Sequence, residues 1–338
     1  MPRIYLDHAA TTPMRPEAKA AMAAALERWA NPSSPHAEGR AARAALEDAR
    51  ARIKAALGWR GELIFTSGAS EALWIGLNRA KLKRRIVSAV EHDAVFRAAP
   101  DAEMVPVREG EVNAEALTEL LAGGPAVVAV QHVNSETGEV QPVDTLTEQV
   151  RAAGGVLVSD CAQSAGKLKL PDADMVIISA HKLGGPPGIG ALLVRDFGLI
   201  EPMGGHEFGY RQGTENLPAI LGFAAALAPG AIVPPDGAAL MQAVRDAGGA
   251  VVGDGAFIKA IAMPGRSAAA QLIRFDAMGF AVSAGSACSS GTLKRSRALA
   301  AFGVPEEVAA RTIRVSLGWS TTAQEINAFR DAWLEVAR

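Results

Sequence analysis

Three side chains that could carry cofactor chemistry each follow an apolar run. Lys182 lies in "SAHKLGGPPGIG" (179–190), between an apolar stretch and a glycine-rich turn. Asp160 closes "GVLVSD", and His92 lies in "EHDAV" just after "RIVSAV". The Gly-x-x-x-x-Gly-Lys order of a P-loop is absent. A lysine at a strand end is, by itself, typical of a plain surface position.

Together these residues favour pyridoxal phosphate as a cofactor. A lysine amine forms a Schiff base with an aldehyde, and an aspartate keeps the pyridine nitrogen of this cofactor protonated. His92 could stack on the ring. The phosphate group requires hydroxyls and the backbone N–H groups of a helix N-terminus. Donors for it are offered by Gly68, Ala69 and Ser70 before "EALWIGL", and by Ser179 and His181.

The two cysteines of the chain stand in very different surroundings. Cys288 lies in "SAGSACSSGT" (283–292), a segment with no bulky side chain. A structural cysteine usually behaves as a small buried hydrophobe, so this setting predicts a mobile loop and leaves open whether the thiol is incidental or a nucleophile. Cys161 follows Asp160 at a strand end, where a small residue fits, and we interpret it as structural.

Alternating strands and helices must position these residues. Apolar residues at spacings of three and four predict a helix over 36–57, with Ser34–Pro35 before it and Gly58 at its end. Further helical patterns lie at about 70–80, 114–121 and 144–153, and a capping box of Thr322 and Glu325 opens a final helix. Strands are predicted at 62–66, 85–90, 126–133, 155–160, 174–180 and 190–195. This alternation indicates an α/β fold around a mostly parallel sheet, whose carboxyl strand ends would gather the small polar residues in one pocket.

Composition sets the broad class of protein. The chain has 338 residues, of which 49% are hydrophobic, as is typical of a globular protein. Its formal net charge is -2, so the sequence lacks the excess of basic residues typical of nucleic-acid-binding proteins. The basic runs at 81–85 and 294–297 are interpreted as solvated. No segment resembles a membrane span or a signal peptide, and two cysteines form neither a disulfide framework nor an iron–sulfur site alone. We therefore expect a cytoplasmic protein with free thiols, no metal, and a boundary in "LAPGAIVPPDG" (227–237).

The motifs and their order resemble the cysteine desulfurases of the class V aminotransferase family. They run nearly end to end and are "YLDHAATTP", "NPSSPHAEGRAAR", "FTSGASEA", "EHDAV", "DCAQSAGK", "SAHKLGGPPGIGAL", "RQGTENLPAI", "GSACSSGTL" and "IRVSLGWSTT". The resemblance implies an α/β fold of type I among pyridoxal phosphate enzymes. It also implies a large domain (12–226) with a mostly parallel seven-stranded sheet, and a smaller α/β domain (1–11 and 227–338).

The resemblance also implies individual roles. Lys182 would be the Schiff-base lysine, His92 would stack on the ring, and Asp160 would bind the pyridine nitrogen. Gln163, with position 135, would face the phenolic oxygen, and Arg314 and Asn134 would bind the substrate. The phosphate would be held by Ala69, Ser70, Ser179 and His181, and by Thr214 from the other subunit of a homodimer. Cys288 would take sulfur from L-cysteine as a persulfide and pass it to an acceptor protein, such as an iron–sulfur scaffold.

Several positions depart from the family pattern. Ser135 replaces an asparagine, Leu73 and Trp74 replace polar residues, and His206 and Phe208 stand where glutamine and arginine are usual. These changes keep alternatives open: a selenocysteine lyase, another class V aminotransferase, or a weakly active homologue that binds the cofactor and serves as a partner protein.

Overall fold

The computed structural model describes residues 3–27, 30–284 and 295–338. Its strands are β1 (Ile4–Tyr5), β2 (Glu62–Thr66), β3 (Arg85–Ser88), β4 (Glu103–Val105), β5 (Val107–Arg108), β6 (Glu111–Val112), β7 (Val127–Gln131), β8 (Val156–Asp160), β9 (Met175–Ser179), β10 (Gly190–Val194), β11 (Ala250–Asp254), β12 (Ile258–Ala262), β13 (Phe280–Ala281), β14 (Ser283–Ala284) and β15 (Thr312–Ser316). Its α-helices are α1 (Pro16–Leu26), α2 (Ala37–Leu57), α3 (Ala69–Asn78), α4 (Asp93–Ala98), α5 (Ala114–Leu121), α6 (Val143–Ala152), α7 (Leu217–Leu227), α8 (Ala238–Asp246), α9 (Ala268–Ala277), α10 (Arg297–Ala301), α11 (Glu306–Ala309) and α12 (Ala323–Ala337).

A seven-stranded sheet forms the centre, in the order β2-β10-β9-β8-β7-β3-β4. Strand β10 runs antiparallel to both of its neighbours, and the other pairs are parallel. Alternate residues along its strands belong to apolar clusters on opposite faces of the sheet. In β2, for example, Leu63 and Phe65 lie in one cluster and Ile64 lies in the other. The sheet is buried on both faces, which explains why its strands are almost continuously apolar in sequence.

A second sheet has the order β11-β12-β15-β14 and is antiparallel throughout. The first strand of the chain pairs in parallel with β13, so the N-terminus lies beside residues near position 280. A separate apolar cluster beneath this sheet combines Leu6 with Val244, Ile313 and Trp333.

The sequence predicts the main helices well. In α2, Ala42, Leu46, Ala49 and Ile53 are buried, as their spacing predicted. The helix begins at Ala37, one residue after the predicted start, because His36 is the N-cap and its Nδ1 accepts a hydrogen bond from the Gly39 N–H (3.2 Å). Ser34, which precedes the helix as predicted, packs so closely on Gly39 that a Cβ there would lie 2.3 Å from the Ser34 carbonyl oxygen.

The predicted capping box of α12 is confirmed: the Thr322 side chain accepts from the Glu325 N–H, and the Glu325 side chain accepts from the Thr322 N–H. No helix in the described ranges is both long enough and apolar enough to cross a membrane.

Candidate active site

A cavity of about 330 Å³ opens at the carboxyl ends of β7, β8 and β9. Parallel strands place their carboxyl ends at one sheet edge, so polar residues that follow different strands meet there. Ten residues that the sequence analysis named as candidate site residues line this cavity: Gly68, Ala69, Ser70, His92, Ser135, Asp160, Gln163, Ser179, His181 and Lys182.

Lys182 ends a short 3-10 turn (Ala180–Lys182) that follows β9 directly. The backbone of this turn is held from the N-terminal segment: the Thr12 N–H donates to the His181 carbonyl (2.8 Å), and the Thr12 hydroxyl donates to the Lys182 carbonyl (3.3 Å). The backbone of the lysine is therefore fixed, and the residue lines the cavity. A lysine anchored in this way at a sheet edge is well placed to meet an aldehyde.

Asp160 and His92 lie on the cavity wall from different elements. Asp160 is the last residue of β8, and its Oδ1 accepts a hydrogen bond from the Ala162 N–H (2.9 Å). His92 caps α4, where its Nδ1 accepts from the Ala94 N–H (3.2 Å). Burial and the nearby Lys182 lower the pKa of His92, whereas Asp160 and Asp93 oppose that shift. A neutral imidazole with Nδ1 as acceptor keeps its ring in one orientation.

The opposite end of the cavity is suited to an anion. Gly68 is the N-cap of α3, with φ of +153°, and the first turn of α3 follows with Ala69 and Ser70. Unpaired N–H groups and the helix dipole favour negative charge at such an end. Gly190 runs so close to this turn that a Cβ on it would lie 2.8 Å from the Gly68 Cα, so Gly190 has no room for a side chain.

Ser179, the last residue of β9, and His181, in the turn that follows it, complete this end. Ser179 is buried, and His181 places Nδ1 3.1 Å from the Thr11 hydroxyl. Burial, with the nearby Lys182, lowers the pKa of His181 to about 4, so the imidazole is neutral at physiological pH. It can therefore contribute one N–H donor rather than a positive charge.

Gln163 lines the cavity with one end of its amide engaged. Its Nε2 donates to the Ala9 carbonyl (2.9 Å), while its buried Oε1 has no hydrogen-bond partner among the described residues. Because a buried polar atom is normally paired, this orphan atom points to a missing ligand.

The contacts of the Asn134 side chain differ from those expected of a substrate-binding residue. Its Oδ1 accepts from the N–H groups of Glu136 and Thr137 (both 2.9 Å), and its Nδ2 donates to the Val90 carbonyl (3.2 Å). The side chain therefore shapes the loop after β7 and lies outside the cavity lining, so its assignment to substrate binding stays a prediction.

Arg314 comes from β15 of the second sheet and is buried. Its Nη1 donates to the Ser135 carbonyl (2.8 Å), which joins β15 to the cavity wall, and its Nη2 donates to Asp7 Oδ1 (3.0 Å). A guanidinium recognises a carboxylate through two parallel donors, so its chemistry agrees with the predicted role in carboxylate binding.

Two acidic residues near the cavity were missed by the sequence analysis. Glu91 is buried, accepts from the Gln131 N–H (2.8 Å) and from the Ser88 hydroxyl, and burial raises its pKa to about 8. Asp7 pairs with Arg314, as described above. Glu91 stands beside His92 in "EHDAV", which was a usable signal, whereas Asp7 lies far from Arg314 in the sequence.

Three further residues from the sequence analysis are not among those that line the cavity. Cys161 is fully buried, and burial raises its pKa to about 12, so it carries no available thiolate. Cys288 lies outside the described residues. Thr214 is exposed and is separate from the residues that line the cavity.

The residues that depart from the family pattern have distinct surroundings. Leu73 is buried and lines the cavity, whereas Trp74 is 48% exposed. His206 Nδ1 lies 3.3 Å from Glu215 Oε1. Phe208 has φ of +59°, a strained value for a bulky residue, and the Arg50 guanidinium lies 4.8 Å from its ring centroid.

Comparison with known proteins identifies relatives along nearly the whole chain. The model of the family described as "Aminotransferase class-V" matches residues 4–229. A protein named "Cysteine desulfurase" from Cereibacter sphaeroides is 36% identical, over 97% of this chain and 94% of its own length. "Cysteine desulfurase IscS" from Dictyoglomus turgidum is 33% identical, over 96% of this chain and 92% of its own length.

Solved structures agree. One titled "NIFS-LIKE PROTEIN" superposes with a TM-score of 0.86 at 27% identity, covering 99% of both chains. A NifS-like protein from Rickettsia africae gives a TM-score of 0.83 at 29% identity, again with 99% of both chains covered. The mixed α/β fold with its seven-stranded sheet is therefore shared over the full length.

Proposed function

This chain belongs to the aminotransferase class-V family, and we propose that within it the protein is a pyridoxal-phosphate-dependent cysteine desulfurase. The observation that carries the proposal is the cavity in which Lys182, His92 and Asp160 meet beside the N-terminus of α3. The reaction converts L-cysteine and an enzyme thiol into L-alanine and an enzyme persulfide, so one sulfur atom moves and no external oxidant is needed.

The cofactor is pyridoxal phosphate, and the residues of the cavity fit it. It supplies an electron sink that weakens bonds at the α-carbon of an amino acid. Lys182 would hold its aldehyde, Asp160 its ring nitrogen, and His92 the face of its ring. The first turn of α3, with Ser179 and His181, would hold the phosphate, and the unpaired amide end of Gln163 faces the same cavity.

We propose Cys288 as the residue that receives the sulfur. The argument is partly by elimination, because the chain has two cysteines and the other, Cys161, is buried with a raised pKa. The acceptor that next takes the sulfur is proposed to be a separate protein, such as an iron–sulfur scaffold.

Arg314 is proposed to bind the substrate carboxylate. Its Nη1 bond to the Ser135 carbonyl keeps the guanidinium at the edge of the cavity, and its Nε has no partner within the described part of the chain. Fixing the carboxylate fixes the α-carbon relative to Lys182, whose amine can then accept or return a proton there.

Two features of organisation are also proposed. The large unit is 12–226, and 1–11 with 227–338 form the smaller one, which is supported by the apolar cluster that unites Leu6 with residues 240–336. The protein is further proposed to be a cytoplasmic homodimer in which Thr214 reaches the phosphate site of the partner subunit; its exposure on the described surface leaves it accessible to a second chain.

The deciding experiment is turnover of L-cysteine by the purified protein loaded with pyridoxal phosphate. We expect L-alanine and, with a thiol reductant, sulfide in equal amounts. A protein that takes up the cofactor but releases neither product would contradict the proposal and favour the weakly active homologue. Faster turnover of selenocysteine than of cysteine would favour a selenocysteine lyase.

A further inference from the structure

The guanidinium of Arg314 is already partly neutralised within the protein. One of its terminal nitrogens donates to the Ser135 carbonyl (2.8 Å), and the other donates to Asp7 Oδ1 (3.0 Å). Its buried Nε has no hydrogen-bond partner in the described ranges. On the edge of the guanidinium formed by Nε and Nη2, the Nη2 donor is therefore engaged by Asp7 and the Nε donor is unused. An unused buried donor on a charged group points to a ligand.

Asp7 is built firmly into this position. The backbone on its N-terminal side is held from both directions: the Leu6 N–H donates to the Ala281 carbonyl (2.9 Å), and the Ser316 N–H donates to the Leu6 carbonyl (2.8 Å). Asp7 itself forms a parallel bridge with Ser316, two residues beyond Arg314 on β15. Its contact with Arg314 is thus set by sheet pairing rather than by a flexible surface loop.

The charge of Asp7 acts on the substrate site as well as on Arg314. Burial raises the pKa of Asp7, and the positive charges of Arg314 and Lys182 oppose that shift, so the carboxylate lies within electrostatic range of both functional cations. A substrate carboxylate that binds Arg314 must approach this second negative charge. Like charges at such short range disfavour each other strongly in a partly buried site.

We propose that Asp7 is a specificity-determining residue, which lowers the affinity of the site for carboxylates and excludes amino acids whose side chains carry a second negative charge. The inference rests on the proposed role of Arg314 in binding the amino acid substrate. With Asp7 ionised, the Asp7–Arg314 pair has no net charge. Such a pair can still bind one α-carboxylate, because the amino acid is also held by its contact with the cofactor. An amino acid such as aspartate brings another negative charge, which the neutral Asp7–Arg314 pair cannot balance.

The test compares Asp7→Asn with the parent enzyme, both loaded with pyridoxal phosphate. Asparagine keeps the size of the side chain and an oxygen that accepts from Arg314, but removes the charge. We expect the dissociation constant of L-alanine, followed by the absorbance of the cofactor, to fall about tenfold, and that of L-aspartate to fall further. The selectivity for alanine over aspartate should therefore decrease.

Asp276→Asn is the matched control, because Asp276 also pairs with an arginine, Arg3, but on the exposed surface. It should leave both dissociation constants unchanged. Asp7→Ser offers a second way to remove the charge if the asparagine variant folds poorly. Unchanged or weaker alanine binding in the Asp7 variants, or an unchanged ratio between the two ligands, would overturn the proposal.

These measurements separate the inference from the proposed function. Failure of the parent to release alanine from cysteine would reject the desulfurase activity, yet the two dissociation constants would still report the effect of Asp7. Normal alanine release together with unaltered selectivity in Asp7→Asn would reject the role of Asp7 alone.

Discussion

At the scale of single residues, burial separates the two cysteines. Cys161 lies inside the fold behind Asp160, where its Sγ is 3.6 Å from the Ser159 hydroxyl, and its pKa is raised to about 12. A thiol of that pKa supplies almost no thiolate at neutral pH. We therefore propose that Cys288 carries the sulfur chemistry, and the difference between the two thiols can be measured directly.

Cys288→Ala is expected to bind pyridoxal phosphate and L-cysteine but to release no alanine, because the sulfur has no acceptor. Cys161→Ala is the matched control and should keep most of the activity. Mass spectrometry after exposure to cysteine without reductant should find one added sulfur on the peptide that contains Cys288. Full alanine release by Cys288→Ala, or sulfur on Cys161, would contradict the assignment.

The role of Lys182 can be tested without turnover. Borohydride treatment of the loaded protein should attach a pyridoxyl group to Lys182, because this lysine lines the cavity and its backbone is fixed by Thr12. Lys167 is a demanding control: it is buried, and burial, with the nearby Lys182, lowers its pKa to about 7, so part of its amine is neutral near pH 7. A label on Lys167 would show that the cofactor site has been wrongly assigned.

At the scale of elements, the ends of helices position the site. The N-terminus of α3 faces the cavity, and His92 both caps α4 and lines the cavity. The C-terminus of helix α2 is defined by a single residue. Gly58 ends the helix in the left-handed conformation, with φ of +66°. Its N–H bonds back to the carbonyl of Ala55 (3.1 Å).

Gly58→Ala should lower the free energy of unfolding by about 1 kcal/mol, because an alanine is strained at this positive φ. A Cβ there meets no atom within 4 Å, so the cost is conformational and not a clash. Gly76→Ala is the control: it lies inside α3, where its Cβ would make ordinary contacts at 3.7 Å or more. Urea unfolding should find Gly76→Ala as stable as the parent or more so, and equal losses for both variants would refute the argument.

At the scale of the whole molecule, folding places ionisable groups where water cannot reach them. Glu91 is buried with its carboxyl close to the end of β7, and its pKa rises from an ordinary 4.5 to about 8 because of that burial. The folded protein therefore holds a proton that the unfolded chain releases near pH 4.5. The stabilisation from this group is complete below that pH and is lost as pH rises through about 8.

Glu91→Gln imitates the protonated side chain at every pH. Relative to this variant, the cofactor-free parent should lose stability between pH 5 and pH 9, on the order of a few kcal/mol. Other titrating groups are common to both proteins and cancel in the comparison. Denaturant unfolding at several pH values measures the stability of the parent relative to Glu91→Gln, and a relative stability that stays constant or rises with pH would contradict the prediction.

The proposed dimer belongs to the same scale. The loaded protein should have a mass in solution of about twice the chain mass of 35.0 kDa. Thr214→Ala should remain dimeric but lose cofactor faster during dialysis, because one phosphate contact per site is removed. A monomer that retains the cofactor fully would contradict both the dimer and the role of Thr214.

The local pattern of apolar and polar residues in the sequence was enough to predict many of the strands and helices and the position of the pocket. The strands at Glu62–Thr66, Val156–Asp160 and Gly190–Val194 lie within or match their predicted ranges, because apolar runs between turn residues report burial directly. The order of polar residues after the strands also indicated one pocket, since parallel strands end at a common edge. Ten candidate site residues named from the sequence accordingly line the cavity.

Only the tertiary structure decided which distant segments meet. Strand β10 inserts between β9 and β2, and Asp7 reaches Arg314 across 307 positions of sequence. Periodicity describes the faces of a single element and carries no information about its partners. The buried charge of Glu91 and the pairing of Asp7 with Arg314 depend on those partners, because a pKa or an ion pair is set by whatever groups folding brings within a few ångströms.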